Sequence, residues 1–149
     1  MRKIITFGFC LTVILFSSCK TEPDSNAVKK EVLNIHDKLM MDGENVVRNK
    51  IKLDSILKSG KIEFANDSIK MADLIARLNK ADENMMDWMH FFKDDFKGKT
   101  ELEDLNYYKA EMVKIRAVED EYIKVTRLSD SVLRVYNVSP ADKMEHHKH

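Results

Sequence analysis

Apolar residues recur every three or four positions along three stretches of the chain, and this spacing predicts three α-helices. The predicted helices cover about residues 26–58, 68–97 and 101–137. Their apolar series are Val28, Val32, Ile35, Leu39, Val46, Leu53 and Ile56 or Leu57; Met71, Ile75, Leu78, Met85, Met89, Phe92 and Phe96; and Leu102, Leu105, Tyr108, Met112, Ile115, Tyr122, Val125, Val132 and Tyr136. No stretch alternates apolar and polar residues for long enough to predict a β-strand.

Residues that favour helix ends separate the three series. Gly60 and Gly98 stand where a helix is expected to stop, because glycine readily adopts the left-handed conformation that follows a last turn. Thr100 and Glu103 have the spacing of a capping box, which predicts the start of the third helix. Candidate N-caps for the second helix are Asn66, Asp67 and Ser68.

The fold class follows from the near-heptad spacing and the short connections. Short connections make neighbouring helices antiparallel, and near-heptad apolar series favour coiled-coil-like packing. We therefore expect an all-α fold in which residues 27–138 form an elongated up-down-up three-helix bundle. The alternative is an antiparallel helical hairpin with the third helix packed alongside.

This topology also predicts which residues lie at the same level. If the chain reverses near residues 62–63 and again near residue 99, each residue can be paired with one on the next helix. The expected pairs are His36 with Met89, Met40 with Met85, Asp42 with Asp82, Met86 with Met112, and Asp82 with Arg116. We expect the acids and Arg116 to form a polar layer that fixes the helix register, and binding of a charged ligand is the alternative.

The N-terminus has the features of an export signal. Arg2 and Lys3 precede an apolar run from 4 to 16, which is too short for a resident membrane-spanning helix. Small residues then lead directly to Cys19, which resembles a bacterial lipobox. We expect residues 1–18 to be a lipoprotein signal peptide and residues 19–26 to be the lipidated Cys19 with a flexible tether. An ordinary secretory signal with a chance cysteine is the alternative.

Lipidation at Cys19 would anchor the chain to a membrane without a transmembrane helix. We expect the protein on the periplasmic side of a bacterial outer membrane. Signal removal would also remove Cys10, so the mature chain would have neither an internal disulfide nor a site with several cysteine ligands.

Charge and catalytic residue types exclude several functions. The full chain has 25 basic and 25 acidic residues, and removal of Arg2 and Lys3 would leave a slight acidic excess. Without a basic excess, we expect no nucleic-acid partner. The sequence also shows no nucleophile and base arrangement, so we expect no enzymatic activity.

The most unusual stretch is MMDWMHFF at residues 85–92. We expect these methionines to pack against aromatic rings in the core, with no cofactor. The alternative is a site for Cu(I) or haem, because thioether and imidazole groups ligate both. Its ligands would come from His36, Met40, Met85, Met86, Met89 and His90.

The same stretch is apolar on nearly every side of the second predicted helix, so part of it is expected to face a partner. Trp88 or Phe91 would anchor self-association or binding to an unknown envelope protein. The alternative is that both rings are covered by the aliphatic stems of neighbouring Lys and Glu residues. Residues 139–149 are expected to form a disordered, histidine-rich tail with weak affinity for divalent metals.

Two segments carry a family resemblance. EVLNIHDKLM at residues 31–40 and ADENMMDWMHFF at residues 81–92, behind a lipoprotein-like signal, resemble a group of small Bacteroidota lipoproteins often labelled viral A-type inclusion protein. The resemblance implies an exported, lipid-anchored helical protein of unknown activity and supplies no catalytic residue. We therefore expect a structural or protein-interaction module of the cell envelope.

Overall fold

Three long α-helices contain most of the residues that the computed structural model describes, which are 24–60, 62, 64–95 and 98–140. The helices are α1 (Ser25–Lys58), α2 (Ala65–Phe91) and α3 (Glu101–Val135), and these described residues include no strand. Each helix packs against both others, so the predicted all-α three-helix bundle is confirmed. At 35 residues, α3 is about 50 Å long, which makes the bundle elongated.

Several sequence predictions concern residues outside this description. The expected signal peptide, the lipidated Cys19 and most of the tether fall within residues 1–23, and most of the expected histidine-rich tail falls within residues 141–149. The end of the tether is described and is helical. Asp24 caps α1 by accepting a 2.7 Å hydrogen bond from the Ala27 amide, so the helix already begins at Ser25.

The core contains most of the predicted apolar seams of the three helices. Leu102, predicted in the α3 seam, is instead 66% exposed, and Phe96 of the predicted α2 seam lies outside the described residues. Burial of this apolar surface is the main force that holds the helices together. The central cluster consists of Val32, Ile35, Leu39, Val46, Leu53 and Ile56 from α1, Met71, Leu74, Leu78, Ala81, Met85 and Trp88 from α2, and Ile115, Tyr122, Val125 and Leu133 from α3.

The predicted boundaries of α2 are wrong at both ends. The helix starts at Ala65 rather than near Ser68, and its N-cap, Phe64, supplies no side-chain hydrogen bond. The Phe64 carbonyl instead accepts from the Asp67 and Ser68 amides, which places the expected capping residues within the first turn.

The early end of α2 has a tertiary cause. After Phe91 the backbone forms hydrogen bonds with side chains outside α2 instead of continuing the helix. The Lys93 amide donates to the Tyr107 hydroxyl at 2.8 Å, and the Tyr108 hydroxyl donates to the Asp94 carbonyl at 3.0 Å. The Lys29 ammonium also donates to the Asp94 carbonyl.

The two ends of α3 follow local capping rules. The predicted box at its start is confirmed, because Thr100 and Glu103 exchange hydrogen bonds. At its end, Asn137 adopts a φ of 55°, and the Val138 amide donates to the Leu133 carbonyl at 2.9 Å. This is a Schellman arrangement, and it ends the helix two residues before the predicted boundary.

Buried polar groups join α1 to α3. The Asn49 side chain is fully buried and donates to the Ser129 hydroxyl at 2.9 Å and to the Asp130 carboxylate at 2.6 Å. Lys38 donates to the Glu119 carboxylate at 2.7 Å. These contacts connect residues 80 or 81 positions apart, as expected for two parallel helices in a constant register.

The predicted polar layer of Asp42, Asp82 and Arg116 does not form as expected. Arg116 instead pairs with Glu31 at 3.0 Å and with Glu119 at 3.1 Å.

Asp82 hydrogen-bonds with Tyr122, a buried ring of α3 that packs against α1 at Gly43. Burial raises the pKa of Tyr122 well above its ordinary value, and the Asp82 carboxylate raises it further. The hydroxyl therefore stays protonated and donates to Asp82, which connects all three helices at this level.

Candidate functional site

A cavity of about 210 Å³ lies between α1 and the C-terminal part of α2, at the end of the bundle where the chain enters α1. Its volume is below the roughly 300–1,000 Å³ of typical pockets for drug-sized ligands. The space is therefore suited to an ion or a small molecule rather than to a porphyrin. The lining residues are Leu33, His36, Trp88, Met89, Phe92 and Asp94.

His36 and Met89 lie at the centre of this site. The His36 Nε2 atom is 3.3 Å from the Met89 sulfur, which confirms the predicted pairing of these two residues. The other ring nitrogen, Nδ1, is 3.0 Å from the carboxylate of Asp37. The imidazole is thus oriented from both sides, with a carboxylate on Nδ1 and a thioether beside Nε2.

Trp88 forms one wall of the cavity. Its ring centroid lies 5.9 Å from that of His36 and 4.7 Å from that of Phe92, on which it stacks. The Trp88 Nε1–H group is buried and has no hydrogen-bond partner in the protein. An unsatisfied buried donor of this kind costs about 1–3 kcal/mol.

The aromatic contacts continue into α3. The Phe92 ring lies 6.3 Å from Tyr107 and 6.4 Å from Tyr108. Burial raises the pKa of both tyrosines, so their hydroxyls remain neutral hydrogen-bonding groups. Since these hydroxyls bind the backbone at residues 93 and 94, α3 holds one edge of the cavity in place.

The structure does not bring the six predicted metal ligands together. Only His36 and Met89 line the cavity. Met85 is buried in the central cluster, whereas Met40 and Met86 are 52% and 58% exposed and His90 is exposed as well. Met112, expected beside Met86, packs against the core.

The two predicted partner-binding residues have different environments. Trp88 is only 7% exposed and belongs to the core, so its face is not available to a partner in this conformation. Phe91 is 72% exposed and contacts the neighbouring His90 ring edge to face. Only Phe91 therefore remains as a candidate surface anchor.

The residues that complete this site were not predicted from the sequence. Asp37 follows His36 directly in the chain, and a carboxylate next to a candidate histidine ligand was the available signal. The contributions of Leu33 and Asp94 depend on how α2 ends, which the local sequence pattern did not predict.

Comparison of the chain with family models, curated proteins and solved structures found no match. Within the described ranges, there is no group of three or more His, Cys, Asp or Glu side chains that could hold a metal ion. None of the helices in the described part of the chain is long and apolar enough to cross a membrane.

Proposed function

We propose that this protein is a lipid-anchored helical module of the bacterial cell envelope, held at the outer membrane and engaged in protein interactions. The observation that carries this function is the exposed Phe91 ring, at the bundle end where the chain enters α1 from Cys19. Large exposed aromatic side chains are common anchors in protein interfaces. The proposal assigns no catalysis to the chain.

The distance along the chain supports this arrangement. Five residues, 20–24, separate Cys19 from the start of α1. A segment of that length spans at most about 17 Å, so an anchor at Cys19 keeps the start of α1 near the membrane surface. Because α1 and α2 are antiparallel, Phe91 at the end of α2 lies at the same end of the bundle. The partner is therefore another envelope protein near the membrane, or a second copy of the chain.

Replacement of the lipidation residue tests the anchor. We expect Cys19→Ser to move the protein from the membrane fraction to the soluble periplasmic fraction, because an apolar lipid chain contributes about 0.8 kcal/mol per buried CH₂ to membrane binding. Mass spectrometry of the wild-type N-terminus should show acyl chains on Cys19. An unmodified Cys19 in wild-type protein would contradict the proposed anchor.

Phe91 can be tested by photo-crosslinking in intact cells, with Phe64 as a matched control. Both rings are exposed, at 72% and 66%, but Phe64 precedes α2 at the opposite end of the bundle. With p-benzoylphenylalanine at position 91, we expect one discrete crosslinked product that the same residue at position 64 does not give. Mass spectrometry then distinguishes a second copy from another envelope protein. No product, or the same products from both positions, would overturn the interaction role of Phe91.

A further inference from the structure

The contact between His36 and Met89 joins two groups that both present lone pairs. An ionised carboxylate only accepts hydrogen bonds, so the tautomer that donates across the 3.0 Å contact with Asp37 carries the imidazole proton on Nδ1. In the neutral ring Nε2 then carries a lone pair, and the Met89 sulfur 3.3 Å away has no proton to donate. In this tautomer two lone pairs face each other and a soft cation can bind between them, whereas the other neutral tautomer donates from Nε2 to the sulfur.

We propose that His36 Nε2 and Met89 Sδ bind a single Cu(I) ion in the cavity beside Trp88. Thioether sulfur is a soft ligand that selects Cu(I), and imidazole binds copper well. The contact between His36 and Asp37 is the second-shell arrangement common to metal-binding histidines, in which a carboxylate fixes the tautomer and raises ligand basicity. This inference is independent of the proposed interaction at Phe91.

The surroundings suit a monovalent cation. The Trp88 ring lies beside the imidazole, and indole is the aromatic ring that attracts cations most strongly. Asp37 and Asp94 place two negative charges near the site, against one positive charge from the Lys29 ammonium at the Asp94 carbonyl.

The geometry needs only a small adjustment. If the bonds are about as long as those of zinc, about 2.0 Å to imidazole nitrogen and 2.3 Å to sulfur, a linear site separates the two atoms by about 4.3 Å. The observed separation is 3.3 Å, so the sulfur must move by about 1 Å. Methionine has three rotatable side-chain bonds and makes such a shift easily, and the adjoining cavity of about 210 Å³ provides the space.

The test is an anaerobic titration with Cu(I), buffered by a chromogenic chelator, of residues 19–149 carrying Cys19→Ser to remove the competing thiol. Trp88 is the only tryptophan in the chain, so its fluorescence reports on this cavity. We expect one equivalent of Cu(I) to bind with saturable quenching of Trp88. Met89→Leu should abolish the quenching and lower the bound Cu(I) by one equivalent while preserving the fold, because Leu and Met have similar volumes. Asp37→Asn should weaken binding about 10-fold.

Met86→Leu is the matched control, because it removes an exposed thioether from the same helix. It should leave both the stoichiometry and the quenching unchanged. The tail histidines remain in every variant, so their contribution cancels in the comparison. Quenching that survives in folded Met89→Leu, or wild-type protein that shows none, would overturn the Cu(I) site and favour a direct hydrogen bond from His36 Nε2–H to the sulfur.

Discussion

Leu78→Ala is expected to lower the free energy of unfolding by about 3 kcal/mol, within the range of roughly 2–5 kcal/mol for buried leucines. Leu78 is completely buried in the central cluster, to which all three helices contribute. Its truncation removes apolar contacts and leaves a cavity that an elongated bundle fills only in part. Urea denaturation followed by circular dichroism measures the change, which corresponds to a decrease in Tm of about 10 °C.

Leu102→Ala makes the same chemical change at a surface position. Leu102 is 66% exposed in the first turn of α3, so its loss should change stability by less than about 0.5 kcal/mol. Equal effects of the two substitutions would mean that Leu78 does not pack between the helices as described.

The fold was largely predictable because the apolar periodicity determines which face of each helix is buried. The end of α2 was not, since it depends on hydrogen bonds from residues distant in sequence. The apolar series continues to Phe96, and nothing local stops a helix at Phe91. The Tyr107 and Tyr108 hydroxyls bind the backbone after that point, and their position is known only once α3 is packed.

This early end also explains the error in the register between α2 and α3. Residues 92–95 leave the helix, and each rises by up to about 3.3 Å instead of 1.5 Å. Together the four residues lengthen the connection by up to about 7 Å relative to a helix, which corresponds to the rise of about five residues of α3. Asp82 was expected beside Arg116 and meets Tyr122, six positions further along.

The register between helices also explains why only part of the candidate site was predicted. The turn between α1 and α2 is short, so its register was correct and His36 meets Met89. Met40 was grouped with His36 because residues four apart share a helix face, but each such step rotates by about 40°. His36 lies at the edge of the buried face, and the further rotation places Met40 in solvent.

Glu119→Gln is expected to lower the free energy of unfolding by about 1–2 kcal/mol at pH 7. The Glu119 side chain is only 10% exposed and accepts from Lys38 at 2.7 Å and from Arg116 at 3.1 Å. Glutamine keeps the shape but leaves Lys38 without its counter-charge and Arg116 with only that of Glu31. Because Lys38 and Arg116 are 42% and 51% exposed, water compensates for part of the loss, and the effect stays below that of breaking a fully buried pair. Urea denaturation of the wild type and of Glu119→Gln measures this difference in the free energy of unfolding.

The pH dependence separates this charge effect from a packing effect. The hydrogen bond from Lys38 holds the pKa of Glu119 below its ordinary value of 4.5, although partial burial opposes the shift. A lowered folded-state pKa stabilises the protein above the unfolded value, and this stabilisation is lost as the pH falls through the folded value. The difference between wild type and Glu119→Gln should therefore be full at pH 7 and shrink progressively below about pH 4.5.

Glu121→Gln provides the comparison, because its contacts with Arg77 and Lys124 are longer, at 3.8 and 3.9 Å, and more exposed. Glu121→Gln should lower the free energy of unfolding by less than about 0.5 kcal/mol at both pH 7 and pH 3. A Glu119→Gln deficit that persists undiminished at pH 3 would show that the lost stability came from packing. A deficit that disappears there would show that one charged group, held between α1 and α3, helps to maintain their parallel register.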